Sequence, residues 1–255
     1  MAKWPFSNQI NDVVDFVIIK ATEGWGYRDP QFYDFKVQST KLNKLIGCYH
    51  FARPDYHNTV EQMEKEADYF IKIINDEEMI GKSLLILDWE TGPTDRGDLA
   101  KTWLDRVKEK TGITPMIYAS ASVIKTISSY IEDYPQWVAY WPSNEEIGIM
   151  NVEKKFKTTM ANLPWFDFHI WQFSSKGTLS GLDSYIDLNY TPMSVSEWGK
   201  LCGKEKEKEK LSSDMKWAID MGIIKGYVDG TYGPKDPLTR EQAASLIHRL
   251  YDIIK

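Results

Sequence analysis

The feature that most constrains the fold is a regular alternation of short apolar runs and longer amphipathic stretches through the first half of the chain. The apolar runs resemble β-strands and lie at 14–22, 45–52, 83–90 and 115–120. The stretches that follow them resemble helices and lie at 29–43, 59–76, 98–112 and 121–131. Alternating elements of this length indicate a parallel sheet with helices on its outside. The sequence therefore predicts an α/β fold for this region.

Two of the helix-like stretches carry an apolar face at helical spacing. In the stretch 59–76 this face consists of Met63, Ala67, Phe70, Ile71 and Ile74. In the stretch 98–112 it consists of Leu99, Trp103, Leu104 and Val107, and Gly112 is placed to end the helix. Because a surface helix buries its apolar stripe, we expect both faces to pack against the sheet.

The regular alternation of strand-like and helix-like segments ends after residue 131. Strand-like runs continue at 136–141, 166–173 and 185–189, but the segment between the last two is too short for a crossover helix. A complete barrel of eight strand–helix units takes about 250 residues, whereas this region ends near residue 200. The pattern therefore predicts a TIM-like barrel of the β/α type that loses its helices toward its end.

A charged segment separates this region from a small C-terminal module. Residues 203–214 alternate lysine and glutamate, so like charges meet at i,i+4 and a helix is disfavoured. We predict a domain at 1–200, a solvated linker at 201–213 and a small α-helical module at 214–255. In the module, Thr239 and Gln242 form a predicted capping box. So short a module supports only a weak core, and we expect it to pack on the first domain, bind a ligand or associate with copies of itself.

The composition argues against several classes of function. A net charge of −6 disfavours binding to nucleic acid or to an anionic membrane surface. No run approaches the roughly 18 apolar residues of a membrane span. The N-terminus lacks the apolar core of a signal peptide, so we expect synthesis in the cytoplasm without one. Two cysteines, Cys48 and Cys202, do not suggest a disulfide framework.

The stretch LLILDWETG, residues 84–92, places two carboxylates directly after the most apolar short run of the chain. Residues i and i+2 of a strand face the same side, so Asp88 and Glu90 should point at one spot where the strand leaves the core. Other polar residues follow the neighbouring strand-like runs, namely Glu23, His50, Arg53, Tyr118, Trp141, Gln172 and Asp187. In parallel barrels the catalytic residues lie at this end of the strands.

Paired carboxylates suit glycoside hydrolysis, which needs one protonated acid at the leaving oxygen and negative charge near the oxocarbenium-like centre. Two neighbouring acids repel when both are ionised, which keeps one of them protonated. We expect Glu90, the longer side chain, to donate the proton and Asp88 to stay ionised. Asp187, from a distant strand, could reach the opposite face of a sugar ring. The alternative for each acid is a solvated strand end or turn.

Other chemistries find little support in the sequence. The four histidines show no zinc-ligand spacing, and His50 is expected to be a hydrogen-bonded structural residue. There is no nucleophile elbow and no phosphate-binding glycine loop. The sequence therefore predicts no metal and no cofactor.

A series of motifs in the first 200 residues resembles glycoside hydrolase family 25, a family of lysozymes. They are DFVIIKATEG, YRDPQF, GCYHFARP, LILDWE, IYAS, HIWQF and YIDLN, in this order. The resemblance implies a barrel of up to eight strands with about five helices and cleavage of the β-1,4 bond between N-acetylmuramic acid and N-acetylglucosamine. It implies that Glu90 is the general acid, Asp88 its catalytic neighbour and Asp187 a third acid. It also implies that Tyr118, Trp141 and Trp171 line the cleft.

The N-terminus departs from the family pattern. Members begin with a strand that ends in D-x-S, and MAKWP resembles the segment immediately after that motif. We therefore expect the first strand and its aspartate to be missing or degenerate. This expectation leads to an alternative function, namely a catalytically impaired protein that binds cell walls. Another amino-sugar hydrolase, such as a chitinase-like barrel, is a third hypothesis.

The C-terminal module resembles an S-layer homology motif. The similarity lies in WAIDMGIIKGYVDGTYGPKDPLTREQ, with its G-Y-x-D-G turn and its T-R-E core. It implies binding to the secondary polysaccharide of Gram-positive walls, with Arg240 as the contact residue. A single copy would bind weakly or need self-association to gain avidity. The two resemblances together predict an endolysin with peptidoglycan strands as its substrate, which reaches the wall after holin-type release or lysis.

Overall fold

The computed structural model describes residues 14–148, 168–178, 184–203, 211–225, 232 and 238–254. The chain divides into two compact units, Met1–Lys204 and Glu205–Lys255. Each unit is described by itself below.

The first unit contains one sheet and five of the described helices. The strands are β1 (Phe16–Glu23), β2 (Tyr27–Arg28), β3 (Leu45–Phe51), β4 (Leu84–Asp88), β5 (Met116–Ser120), β6 (Gln136–Ala139), β7 (Ile147–Gly148), β8 (Ile170–Thr178) and β9 (Ile186–Tyr190). The helices are α1 (Phe32–Lys41), α2 (Val60–Asp76), α3 (Gly97–Thr111), α4 (Ala121–Ile131) and α5 (Val195–Leu201).

The sheet is mainly parallel. Its order is β2-β1-β3-β4-β5-β6-β8-β7, and β9 also pairs with β8. The neighbours from β1 through β3, β4, β5 and β6 to β8 are parallel, whereas β2 and β9 pair antiparallel at the two ends. The predicted α/β class with a mainly parallel sheet is confirmed, whereas the predicted loss of helices toward the end of the sheet concerns segments that include 149–167 and 179–183, which lie outside the described residues. Within the described residues no pairing joins β1 to β9. The expected loss of a first strand concerns residues before β1, and residues 1–13 lie outside the described part.

The strands separate two apolar cores. On the outer face, alternate strand residues pack against α2, α3 and α4. The largest fully buried side chains there are Trp89, Trp103, Phe32, Phe70 and Met63. The apolar faces predicted for α2 and α3 lie in this core, and Gly112 ends α3 with a φ of +71°. Thr59 caps α2 in a capping box with Gln62. Local sequence patterns therefore account for these helices and for the face that each buries.

On the inner face, a second core fills the space between the strands. It contains Leu84, Ile86, Met116, Ile170 and, from α5, Trp198. The ring of Trp198 lies 5.2 Å from that of Phe16, at the start of β1. Because these strand residues lie at or near the N-terminal ends of their strands, α5 covers that end of the sheet. Strand β4 is buried on both faces, which explains its continuous apolar run.

The second unit contains two described helices, α6 (Ser213–Asp220) and α7 (Arg240–Ile254). The predicted capping box is confirmed, because Gln242 N donates to Thr239 Oγ1 at 3.1 Å and Thr239 N donates to Gln242 Oε1 at 2.9 Å. Arg249 Nη1 donates to the carbonyl of Ile223 at 2.8 Å. Ile223 is the one buried hydrophobic side chain among the residues described in this unit, whereas Trp217, Ile247 and Tyr251 are exposed.

No described helix combines the length and the apolar character that crossing a membrane would require.

Candidate active site

Strand β4 delivers two carboxyl groups to the inner face at its C-terminal end. Asp88 is the last residue of β4 and has 6% of its surface exposed, whereas Glu90 is exposed. Trp89 between them points into the outer core, where its indole N–H donates to the carbonyl of Thr94 at 3.1 Å. The backbone is held from both sides, since Ala52 N donates to Asp88 O at 3.0 Å and Trp89 N donates to Tyr118 O at 2.9 Å. These hydrogen bonds hold the backbone that carries the two acids in place.

A third carboxyl group, that of Asp187 in β9, lies on the same face. Burial raises the pKa of Asp88 well above its usual range, and the negative charge of Glu90 adds to this shift. Partial desolvation, followed by the charge of Asp187, raises the pKa of Glu90. Partial desolvation also raises the pKa of Asp187. The three acids form one electrostatic group in which protons are held more tightly than on isolated carboxylates.

Asp88 has the most unusual environment of the three. Its Oδ1 is buried and has no hydrogen-bond partner among the described residues. A buried carboxylate without partners is strongly disfavoured, so the neutral form of Asp88 is stabilised. Burial and the charge of Glu90 therefore act against the sequence-based expectation that Asp88 stays ionised. The two acids differ in burial. Asp88 is buried because it still belongs to β4, whereas Glu90 is exposed because it follows the end of the strand.

A set of aromatic and amide side chains from the strands beside β4 lines the site, beginning with Tyr118, which is paired with Asp88 across β4 and β5. Tyr118 OH and Trp141 Nε1 both donate to Gln172 Oε1, at 3.1 Å and 3.0 Å. Trp137 packs on Tyr118 at 4.3 Å between ring centroids, and its Nε1 donates to Asn189 Oδ1 at 2.8 Å. Burial and the charges of Glu90, Asp88 and Asp187 raise the pKa of Tyr118. Its hydroxyl therefore stays protonated, and its proton is donated to Gln172.

The structure brings most of the predicted residues together, but not Trp171. Asp88, Glu90, Asp187 and Tyr118 share the site, and Trp141, with 49% of its surface exposed, is tied to it through Gln172. Trp171 precedes Gln172 in β8 and therefore faces the other way. It is fully buried with Phe173 and Leu188, and its Nε1 donates to Tyr140 O at 2.8 Å. A side chain with no exposed surface cannot contact a substrate, so the expectation that Trp171 lines the cleft is wrong.

Two other residues singled out in the sequence lie elsewhere. His50 is buried on the outer face, where its Nδ1 lies 2.8 Å from Thr22 Oγ1 and its Nε2 lies 2.8 Å from Glu66 Oε2. It is a hydrogen-bonded structural residue, as expected. Arg240 belongs to the second unit, where it begins α7 and is exposed.

Lys20 and Tyr49 also act on the acids, and neither was predicted from the sequence as a site residue. Lys20 lies on the inner face of β1, where its charge opposes the increase in the pKa of both Asp88 and Glu90. Burial, followed by the charges of Asp88 and Asp187, raises the pKa of Tyr49 in β3. A lysine within the apolar run VIIKAT was an available signal, because a charged residue inside such a strand points to a polar site. Tyr49 gave no such signal.

No group of three or more histidine, cysteine, aspartate or glutamate side chains is arranged to hold a metal ion within the described ranges.

Comparison with known proteins gives two family matches. The model of glycosyl hydrolases family 25 matches residues 3–182, and the model of the S-layer homology domain matches residues 206–244. Among curated proteins, lysozyme M1 of Streptomyces globisporus is 28% identical over 193 residues, which cover 69% of this chain and 59% of that protein. Curated relatives of this kind are longer, and the chain spans between 58% and 63% of their length.

Solved structures share the fold. The catalytic domain of endolysin ply40 from bacteriophage P40 of Listeria monocytogenes superposes with a TM-score of 0.57 at 22% identity, and the match covers 74% of this chain and 87% of that one. The spore cortex lytic enzyme SleM of Clostridium perfringens gives a TM-score of 0.55 at 26% identity, with 72% of this chain and 62% of that one covered.

Proposed function

The chain belongs to the glycosyl hydrolases of family 25, and from this premise we propose that it is an N-acetylmuramidase. It hydrolyses the β-1,4 bond between N-acetylmuramic acid and N-acetylglucosamine in peptidoglycan. The observation that carries the proposal is the group of three acids with raised pKa values, two from the C-terminal end of β4 and one from the start of the antiparallel strand β9. Carboxyl groups that keep a proton beside negative charge are what this reaction needs.

Glu90 is the general acid in this proposal. It is exposed, so a glycosidic oxygen can reach it, and its raised pKa keeps it protonated over a wider range of pH. Its proton passes to the leaving oxygen as the bond to the anomeric carbon breaks. Water later adds to that carbon, and the proton it loses restores Glu90. The negative charge that Glu90 acquires in between is stabilised by Lys20, which favours the ionised form.

Asp88 and Asp187 support the proton transfer from Glu90 in different ways. Asp88 is buried beside Glu90, and because two neighbouring carboxylates repel, the pair does not ionise together readily, which favours a protonated acid in the site. Asp187 reaches the site from β9, a different part of the sheet from β4, and in its ionised form it stabilises the positive charge that develops on the sugar. The family resemblance implies retention of configuration with help from the acetamido group of the substrate.

Tyr118 and Trp141 bind the sugar in this proposal. Gln172 accepts a hydrogen bond from each, which fixes both side chains relative to the acids. The exposed ring of Trp141 offers a flat apolar surface of the kind on which a sugar ring stacks. A site held in this way loses little side-chain entropy when substrate binds.

The C-terminal module targets the enzyme to the cell wall, where it acts after release by lysis. The match to the S-layer homology domain supports binding to a cell-wall polymer. We propose secondary cell-wall polysaccharide as the polymer and the exposed Arg240 as a contact residue. The exposed apolar side chains of α7, such as Ile247 and Tyr251, support self-association of the module.

The test is an end-group analysis of digested peptidoglycan. The intact chain, the Glu90→Gln variant and a Glu109→Gln control are incubated with purified Gram-positive peptidoglycan, and the products are reduced with borohydride and identified by mass spectrometry. Glu109 is a suitable control because its side chain is 67% exposed on α3. We expect reduced N-acetylmuramic acid ends from the parent and from Glu109→Gln only. Folded parent protein that releases no such ends, or equal release by Glu90→Gln, would contradict the proposal.

A further inference from the structure

Three exposed aromatic side chains surround the ends of β1 and β3, outside the site described above. They are Trp25 in the turn after β1, Tyr27 in β2 and Tyr56 in the loop after β3, with 41%, 47% and 68% of their surface exposed. We call these three side chains the aromatic surface. Single exposed aromatic side chains are common, whereas a group of them at one place is typical of a binding surface.

Each ring of the aromatic surface is held by a cationic or imidazole group. The ring of His57 stacks on Trp25 with 3.5 Å between centroids and 16° between planes. The guanidinium of Arg53 lies 4.3 Å from the ring of Tyr56, and Lys20 Nζ lies 5.6 Å from the ring of Tyr27. Such contacts fix the rings in place before any ligand arrives.

The supporting groups are themselves anchored. His57 Nδ1 is hydrogen-bonded to Glu66, whose side chain in α2 is fully buried. Arg53 makes two bonds to Asp55, at 2.9 Å and 2.7 Å, and a third to Glu23 at 2.6 Å. The rings therefore rest on a hydrogen-bonded framework that reaches the outer core, rather than on mobile surface side chains.

The same framework joins the aromatic surface to the acids. Lys20 Nζ bonds to Glu23 at 2.7 Å, and the charges of both residues act on Asp88. Beyond Glu90, the hydroxyl of Thr91 donates to Ala52 O at 3.0 Å. Gly92, with a φ of +67°, packs so closely that a Cβ there would lie 2.6 Å from the backbone nitrogen of Asp55. The loop after β4 thus rests on the loop that carries Arg53 and Tyr56.

We propose that the aromatic surface is a second carbohydrate-binding surface, which holds sugar rings of the glycan strand further along than those that flank the cleaved bond. The apolar faces of pyranose rings match the exposed aromatic faces, and Lys20, Arg53 and Asp55 supply hydrogen-bonding groups at their edges. The proposal rests on the proposed muramidase function for the identity of the polymer. It predicts that the enzyme prefers long strands to short fragments.

The first test compares substrates of different length. Trp25→Ala and Tyr56→Ala are measured on long peptide-free glycan strands and on a tetrasaccharide, beside a Tyr33→Ala control. Tyr33 is a suitable control because its ring is 54% exposed and lies 4.9 Å from Lys36 on α1, outside the aromatic surface. We expect kcat/KM on long strands to fall about fivefold for each test variant, as the loss of one stacking contact implies. The loss should be smaller on the tetrasaccharide, and Tyr33→Ala should match the parent.

The second test measures binding without turnover, so that failure of this proposal can be told from failure of the proposed function. In a Glu90→Gln background, adding Trp25→Ala or Tyr56→Ala should weaken the binding of strands stripped of secondary polysaccharide by about fivefold, and Trp25→Phe should restore most of it. If the parent releases no ends but this loss is seen, the aromatic surface stands and the muramidase proposal fails. Unchanged binding by both folded variants would overturn the proposal.

Discussion

Replacing Asp88 by asparagine should make the first unit more stable while removing activity. The side chain is 6% exposed, and its Oδ1 is unpartnered within the described residues. At pH 7 a carboxyl group in water is ionised. The folded parent must therefore either bury the charge of Asp88 or bind a proton that the unfolded chain releases, and each of these costs free energy. Asparagine has the same shape and no charge. It still has a polar oxygen at the buried position, so only the part of the penalty that belongs to the charge is removed. Because an unpartnered charged group costs more than a neutral one, we expect the free energy of unfolding at pH 7 to increase by about 1–3 kcal/mol.

The sign of the pH dependence follows from the direction of the pKa shift. Burial, followed by repulsion from Glu90, raises the pKa of Asp88 in the folded state, whereas an unfolded aspartate has its ordinary pKa of about 3.9. Above that pH the folded state binds more protons than the unfolded state, so this group makes the parent less stable as pH rises. Asp88→Asn lacks the effect. Its advantage over the parent should therefore be small near pH 4 and large at pH 7.

The assay is urea unfolding of both proteins at pH 4 and pH 7, followed by tryptophan fluorescence, together with release of reducing ends from peptidoglycan. Asp76→Asn is the matched control, because Asp76 is about half exposed and pairs with Lys72 on α2. Its stability should stay within about 0.5 kcal/mol of the parent. The reasoning is refuted if folded Asp88→Asn is less stable than the parent at pH 7, or if its advantage shrinks as pH rises.

Three further predictions, which use four substitutions, concern other parts of the structure. Trp171→Ala should lower the free energy of unfolding by about 3–5 kcal/mol, because the ring is fully buried. Trp141→Ala should leave the free energy of unfolding nearly unchanged and should weaken turnover, because this ring is exposed. Urea unfolding measures the first effect and kcat/KM the second. Glu66→Gln should destabilise the first unit by about 3 kcal/mol, because the buried carboxylate that accepts from His50 loses its charge; equal unfolding midpoints would contradict this. Ile247→Asp should reduce association of the module in sedimentation experiments and leave the unfolding of the first unit unchanged, since Ile247 is 69% exposed.

Elements set by local chemistry could be predicted from the sequence. The capping residues Thr239 and Gln242 act within one turn of chain, and the apolar stripes of α2 and α3 repeat at helical spacing. The electrostatic coupling of Asp88 and Glu90 is likewise local, because the two residues are two apart in the chain and the charge of Glu90 raises the pKa of Asp88. In each case the information lies within a few residues of the feature.

Predictions failed where distant contacts decide which face of a strand a side chain lies on and how deeply it is buried. In HIWQF the residues on both sides of the strand can be buried, so the sequence does not say whether Trp171 or Gln172 faces the inner core. Pairing of β8 with β9, which includes two register irregularities, and packing against Leu188 decide it. The depth of Asp88 likewise depends on where β4 ends, which is fixed by hydrogen bonds from Ala52 and to Tyr118.

The placement of the acids also explains how an unfavourable site persists. The carboxyl of Asp88 is buried, but the strand that carries it is buried on both faces and belongs to two apolar cores. Burial of one large aliphatic side chain contributes about 1.5–3 kcal/mol, so Leu84, Leu85, Ile86 and Leu87 together outweigh the cost of one unpartnered carboxyl. The apolar run and the acids that follow it are therefore parts of one arrangement. The run supplies the rigidity and stability that let a destabilised acid remain at the end of the same strand.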